Sequence, residues 1–229
     1  MLPWLHAYSL PGLSVALRRL RVRRKRGRLR MHSPDLAYAT KLAWLRRVRA
    51  RAAQEPTVRL LYGDEFSLYR QPTLGAVYAA RGAEPTARLS LRANTRQRYC
   101  GALDSTSGQV VWTTAAKLGV VGLRRFLQAV RLAYPTQELF LAWDNWPIHQ
   151  HPDVLAEATK QRIQLLWLPT YAPWTNLIEK LWRWLKEQLL RHHRLADAWD
   201  ELRDQVARFL DQFAHGSSNL LRYVGALPD

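Results

Sequence analysis

Cysteine is nearly absent from this chain of 229 residues: Cys100 stands alone. A single thiol excludes an intrachain disulfide and any zinc site built on cysteines, and it suits a reducing compartment. Acids are also scarce, 18 against 35 lysines and arginines. No apolar run approaches the ~18 residues that a membrane-crossing helix needs. The N-terminus is apolar first and basic afterwards, the reverse of a secretory signal. These absences leave a cytoplasmic protein with no membrane partner as the simplest reading.

What is abundant is positive charge. The formal net charge is +17 and the hydrophobic content is 48%, so a packed core is expected beside a surface that attracts polyanions. The charge is unevenly spread. Residues 1–54 carry 14 basic residues and one acid, Asp35, whereas residues 55–229 are close to balanced. That pattern predicts a basic arm joined to an ordinary globular domain.

Along the chain, Pro11-Gly12 precedes helical spacing of Leu13, Leu17 and Leu20. Residues 21–30, RVRRKRGRLR, are too charged to pack. Ser33-Pro34-Asp35 reads as an N-cap with proline at the first helical position, opening a helix to about residue 53. Its expected apolar face is Leu36, Ala39, Leu42, Ala43 and residues 45–48. Strands are expected at residues 58–63, 76–80, 89–103 and 109–114, with a hairpin turn at 104–108. A helix follows over 115–134, with Leu118, Val121, Phe126, Leu127 and Val130 as its buried side. Two continuous apolar runs, 139–143 and 163–168, suit parallel strands buried on both faces. A helix over 152–160 links them, and helices over 175–191 and 196–215 close the chain. Together these predict an α/β fold, a mixed sheet flanked by helices.

Three carboxylates stand at informative places. Asp64 ends or interrupts the first strand. Asp144 follows the run 139–143, at the carboxyl edge where open α/β sheets bind ligands. Glu179 lies in the first turns of the helix after the next strand, so it can return to that edge. Acids gathered from separate elements repel unless cations lie between them, which points to magnesium or manganese. Each also has a plainer explanation. An aspartate after a strand is often a turn residue. Asn176-x-x-Glu179 has capping-box spacing, and Glu179 can pair with Arg183 one turn on.

The words around the acids are more specific. They are Tyr62-Gly63-Asp64-Glu65-Phe66-Ser67 with Arg70-Gln71-Pro72-Thr73, then Trp143-Asp144-Asn145-Trp146-Pro147-Ile148-His149, then the block from Leu168 to Trp182, LPTYAPWTNLIEKLW. Between Asp144 and Glu179 lie 34 residues. In order, spacing and wording the chain resembles the DDE transposases of the Tc–mariner superfamily, in the bacterial insertion-sequence branch labelled six-thirty. The likeness extends over nearly the whole chain. Leu177 departs from it, standing where proline is commoner, as do Thr170, Ala172 and Thr175, but no carboxylate is lost.

The resemblance implies an RNase H-like fold and a two-metal mechanism, with Asp64, Asp144 and Glu179 as catalytic residues holding two Mg²⁺ or Mn²⁺ ions. Such ions, about 3.5–4 Å apart, clamp the attacking and leaving oxygens of a phosphodiester. Water cuts at the transposon ends, and the freed 3′-hydroxyl attacks target DNA at a TA dinucleotide. DNA is the implied partner, a homodimer on DNA the implied assembly, and the bacterial nucleoid the implied location. Asn145 and His149 are candidates to brace the metal-holding acids or to contact phosphate, against a turn asparagine and a helix-start histidine. Lys180, Arg183 and Lys186 are candidates to line a DNA channel, against a solvated helix face. The tryptophans beside these words are expected in the core rather than stacked on DNA.

Residues 9–20 resemble the recognition helix that ends a second helix-turn-helix unit, and residues 21–30 resemble the linker after it. The chain therefore reads as N-terminally shortened. The expected division is a DNA-binding remnant and basic linker (1–30), a linker helix (31–55) and the catalytic domain (56–229). Arg18, Arg19, Arg21, Arg23, Arg24, Lys25, Arg26, Arg28 and Arg30 are the expected phosphate contacts of the arm, in binding that is indifferent to sequence and weakened by salt. Two alternatives remain open: a remnant that binds DNA without cutting it, and an RNase H-like nuclease.

Overall fold

The computed structural model describes residues 9–22, 32–76 and 78–227. It divides into two compact units, residues 1–31 and residues 32–229. The described part of the first holds helix α1 (Leu10–Arg19), opened by Ser9, whose hydroxyl accepts from the Gly12 N–H. Leu17 on α1 and Leu20 just after it are exposed rather than packed. Arg18, Arg19 and Arg21 at its end are exposed too, while Arg23, Arg24, Lys25, Arg26, Arg28 and Arg30 lie outside the described residues.

The second unit is built on one five-stranded sheet. Its strands are β1 (Val58–Tyr69), β2 (Arg96–Asp104), β3 (Val110–Ala115), β4 (Glu138–Trp143) and β5 (Ile163–Trp167). The spatial order is β3-β2-β1-β4-β5. The pairs β1–β2 and β2–β3 are antiparallel, whereas β4 runs parallel to β1 and β5 parallel to β4. Around it lie α2 (Tyr38–Gln54), α3 (Val120–Ala133), α4 (Pro152–Lys160), α5 (Ile178–Leu185), α6 (Trp199–Asp211) and α7 (Ser218–Val224).

Alternation along the strands sends side chains to two separate cores. Leu61, Leu139, Leu141 and Trp143 face α3 and α4, packing with Leu123, Phe126, Leu127, Val130 and Val154. Val58, Leu60, Tyr62, Phe140 and Ala142 face the other way, toward Leu45 and Val48 of α2 and Ile178, Leu181, Trp182 and Leu185 of α5. The spacing of these four α5 residues makes one helical stripe. Asp64 continues the even-numbered face of β1, and Asp144 continues that of β4. Both acids are thereby directed to the α5 side of the sheet.

Several boundaries differ from the sequence reading. Asp64 lies inside β1, which runs on to Tyr69. Residues 76–80 are not a strand among those described, and β2 starts only at Arg96. Between β1 and β2 the chain is a long loop closed at its neck by side chains: Gln71 Nε2 donates to Ser90 O and its Oε1 accepts from Ser90 N–H, both 2.9 Å. A side-chain amide thus replaces the backbone ladder. Ala115 is still β3, and Gly119, extended, precedes α3, so Val121 falls on the solvent side. The segment 196–215 gives α6, and a further helix, α7, is opened by the Ser217 hydroxyl and closed by left-handed Gly225. Residues 186–190 continue α5 as a π-helical turn.

Ser33-Pro34-Asp35 does not cap α2, which starts at Tyr38 without a side-chain cap. It reaches across the molecule instead. Ser33 Oγ donates to Thr170 O (2.6 Å), and Asp35 Oδ2 accepts from Thr170 N–H (2.9 Å) and from Lys41 Nζ (2.8 Å). Those donors hold the Asp35 carboxyl down at about 2. Leu36, Ala39 and Ala43, expected on the buried side of α2, are exposed.

Candidate active site

Asp64, Asp144 and Glu179 line one cleft of about 400 Å³. Three elements bring them there. Asp64 comes from the middle of β1, Asp144 from the end of β4, and Glu179 from the first turn of α5. The close approach of α5 depends on Gly101, the β2 residue paired with Asp64. A Cβ at position 101 would lie 2.7 Å from the Trp182 ring and 3.1 Å from Ile178. The absence of a side chain there lets the α5 stripe sit directly on the sheet, with Glu179 over Asp64.

The loop into α5 is tied to β1 by Asn176, whose buried Nδ2 donates to Gly63 O (2.9 Å). This replaces the capping box expected from Asn176-x-x-Glu179. No hydrogen bond among the described residues engages the Glu179 side chain, and none joins it to Arg183. The carboxylate is left facing the cleft.

Electrostatics follow from this crowding. Burial pushes the Asp64 carboxyl well above its ordinary range, and the neighbouring charges of Glu179, Glu65 and Asp144 add to the push. Glu179 is raised by burial, against the opposing pull of Lys186 and Arg183. Burial also acts on Asp144, but a hydrogen bond from His149 and the Trp146 N–H outweigh it and hold that carboxyl low.

His149 is fully buried and stacks on Trp143 with ring centroids 3.8 Å apart. Its Nδ1 lies 2.8 Å from Asp144 Oδ1, and its Nε2 lies 2.9 Å from Glu65 Oε1. Only the imidazolium can donate to both carboxylates at once. Burial lowers the affinity of the ring for a proton, yet these two hydrogen bonds win and raise its pKa to about 9. Trp143 Nε1 also donates to Glu65 Oε1 (3.2 Å). One oxygen of Asp144 is thus held by His149 and by Trp146 N–H (3.0 Å), and its Oδ2 has no partner among the described residues. Glu65 escaped the sequence reading, although it adjoins Asp64 and alternation turns it to the opposite face.

The other candidates divide. Asn145 Nδ2 donates to Leu168 O (2.5 Å), bracing the cleft wall. Arg183 and Lys186 are exposed beside Glu179, and Lys186 also lies over the Phe66 ring at 5.5 Å. Lys180 points elsewhere: its Nζ donates to Val224 O (2.7 Å), closing the C-terminal end of α7. Trp143 and Trp182 are buried, Trp167 and Trp184 pack on the cores, and Trp146 and Trp174 are exposed.

Hard oxygen donors of like charge on one cleft fit a divalent cation of the magnesium or manganese kind. Among the described residues, no three acidic, histidine or cysteine side chains stand close enough together to hold a metal ion as they are placed. The three acids nonetheless share one cleft.

Residues 59–203 match the family described as DDE superfamily endonuclease. An insertion element IS630 39 kDa protein of Shigella sonnei is 28% identical over 159 residues, covering 66% of this chain and 44% of the relative. The chain thus spans less than half of that relative. Two solved structures of Mos1 are similar over 97% of this chain and 68% of theirs. They are the Mos1 transposase paired-end complex with the left transposon end (TM-score 0.67, 18% identity) and the Mos1 mariner paired-end complex with Mn (0.68, 17%). At that identity the likeness is one of fold, the RNase H-like mixed sheet flanked by helices. Because the family match runs from β1 into α6 and takes in all three cleft acids, the chain belongs to the DDE superfamily endonuclease family.

Proposed function

We propose that this chain is the catalytic part of an insertion-sequence transposase, which cuts DNA at transposon ends and joins the cut end to target DNA. The observation that carries the reading is the convergence of Asp64, Asp144 and Glu179, distant in sequence, on one cleft of one sheet face. The relative from an insertion element and the Mos1 complexes with transposon-end DNA, Mn and Mg support it.

Asp64, Asp144 and Glu179 would hold two Mg²⁺ or Mn²⁺ ions, which supply Lewis acidity to the attacking and departing oxygens of a phosphodiester. The chain's own residues prepare that arrangement. Asp144 is aimed by His149 and the Trp146 N–H, and His149 is anchored in turn by Glu65, so a ligand oxygen is oriented before any ligand arrives. Asn176 and Gly101 hold α5 against β1. Arg183 and Lys186 place positive charge beside Glu179, where a phosphate would approach.

The basic residues 18–30 would hold DNA by charge, with residues 31–55 joining them to the catalytic domain. Two copies would assemble on DNA, in the cytoplasm at the nucleoid. No described helix is long and apolar enough to cross a membrane.

A supercoiled donor bearing the element's ends, incubated with Mn²⁺ and a target plasmid, tests the proposal. Joined products are the expected result. Hydrolysis without joining would favour an RNase H-like nuclease, and binding without cleavage a non-catalytic remnant.

Metal should also change how stability responds to pH. Asp64, Glu179 and His149 all bind protons more tightly in the fold than in the unfolded chain. A raised pKa stabilises below the unfolded value and loses that contribution as pH rises. For His149 the window runs from about 6.5 to about 9. The metal-free protein should therefore lose melting temperature across that window, and Mn²⁺ should restore more at pH 8 than at pH 5. Thermal denaturation with and without Mn²⁺ measures this, and an equal gain at both pH values would contradict it.

A further inference from the structure

Helix α2 carries five basic residues and no acid. Three of the five are engaged within the protein. Lys41 is paired with Asp35 (2.8 Å) and also donates to Leu168 O (3.4 Å). Arg49 Nη2 donates to Ala226 O (2.6 Å), and Arg51 is paired with Glu138 and Glu55. Arg46 and Arg47 are exposed, and no acid among the described residues pairs with either.

This face is unlike an ordinary solvated one. Opposite charges three or four residues apart stabilise a helix, and like charges at that spacing destabilise it. Arg46 and Arg49 stand three apart, Arg47 and Arg51 four apart, and α2 itself holds no acid to relieve them. An approaching polyanion would. Trp44, one turn before Arg47, is 58% exposed. Its ring has an apolar body and one N–H, the combination that interfaces use. Ala43 and Ala50 beside Arg47 are exposed and short, so a phosphate backbone can come close.

The position of the face also fits. Near its start α2 reaches Leu168 through Lys41, and near its end it reaches Glu138, the first residue of β4, through Arg51. Asp144 follows the last residue of that strand, so α2 runs from the rim of the cleft away from the acids. Lys41 and Trp44 share a small hollow with Leu168 and Pro169, which also wall the cleft. Arg46 and Arg47 follow about 8 Å farther along the helix axis. The anchors at Lys41, Arg49 and Arg51 fix the helix, so the face is set before a ligand arrives.

Resting on the transposase reading, we propose that the outward face of α2 is a docking surface for duplex DNA, with Arg46 and Arg47 holding the phosphate backbone beyond the stretch that enters the cleft. Helix α2 is then more than a joint between the basic arm and the catalytic domain. The contact reads no bases, and it adds affinity for any sequence.

Fluorescence anisotropy of a labelled linear duplex, without divalent metal and over a salt series, tests this in the full chain. Arg46→Gln with Arg47→Gln should weaken binding at low salt by about ten-fold. It should also lower the slope of log affinity against log salt by about 2, since each phosphate contact contributes about 0.9. Arg46→Lys with Arg47→Lys should keep the wild-type slope. Arg125→Gln with Arg208→Gln removes the same charge from exposed positions on α3 and α6 and should leave the slope unchanged. The basic arm is common to all four proteins, so the differences belong to the substituted faces. A wild-type slope in the Arg46, Arg47 glutamine pair would overturn the surface, as would an equal loss in the Arg125, Arg208 pair. Cleavage and joining in Mn²⁺ by the same wild-type preparation report separately on the transposase reading.

Discussion

Asp144→Asn is expected to cut DNA cleavage by on the order of 10³-fold or more, with the fold retained. The substitution keeps size, and its Oδ1 can still accept the Trp146 N–H. It removes the charge on the oxygen left without a protein partner, and with it several kcal/mol of transition-state stabilisation. His149 keeps Glu65 as its counter-ion, so the buried imidazolium is not orphaned. Plasmid nicking in Mn²⁺, with circular dichroism as the check on folding, measures the effect. A rate within ten-fold of wild type would place the chemistry elsewhere.

Glu65→Gln makes the informative contrast. Glutamine still accepts a hydrogen bond but no longer balances the imidazolium. Losses of about 10- to 100-fold, in activity or in the Mn²⁺ concentration needed, are typical of groups that orient a metal ligand through another residue.

The second large effect concerns a residue with no functional group. Gly101→Ala should destabilise the protein by about 1–3 kcal/mol and also impair cleavage. The added methyl meets the Trp182 ring at 2.7 Å, and that ring is fixed in the core against Phe66, stacked at 5.5 Å. Neither the sheet nor a buried indole yields easily, so α5 must move outward. Glu179 then leaves Asp64, which lies opposite Gly101 on β1. Urea denaturation and nicking assays read the two consequences. Normal cleavage in a destabilised Gly101→Ala protein would show that the spacing of α5 tolerates more than this packing suggests.

Much of the framework was legible in local pattern. The apolar runs 139–143 and 163–168 announced buried parallel strands, and β4 and β5 follow them within a residue at either end. The helix over 152–160 appears as read, because Pro152 at its first position and His151 accepting from Asp153 N–H mark its start. Residues 76 and 78–80 are not strand because apolar content alone does not supply a pairing partner, and Gln71 and Ser90 hydrogen-bond through side chains instead. Lys180 illustrates the same limit. Its charge and position on the helix suited a DNA channel, but the later α7 presented a carbonyl at Val224 and took the ammonium.

By itself, the order of residues determined the α/β alternation, the family words and the three acids that stand at strand and helix ends, since each is written in periodicity or in neighbouring letters. Only tertiary structure decided that Glu65 anchors His149, that Asp35 grips the cleft wall and that an empty side-chain position at Gly101 sets the height of α5. Those partners lie about 80 or more residues apart along the chain. Closing the fold chooses among many equally polar or equally small candidates, and no local repeat records that choice.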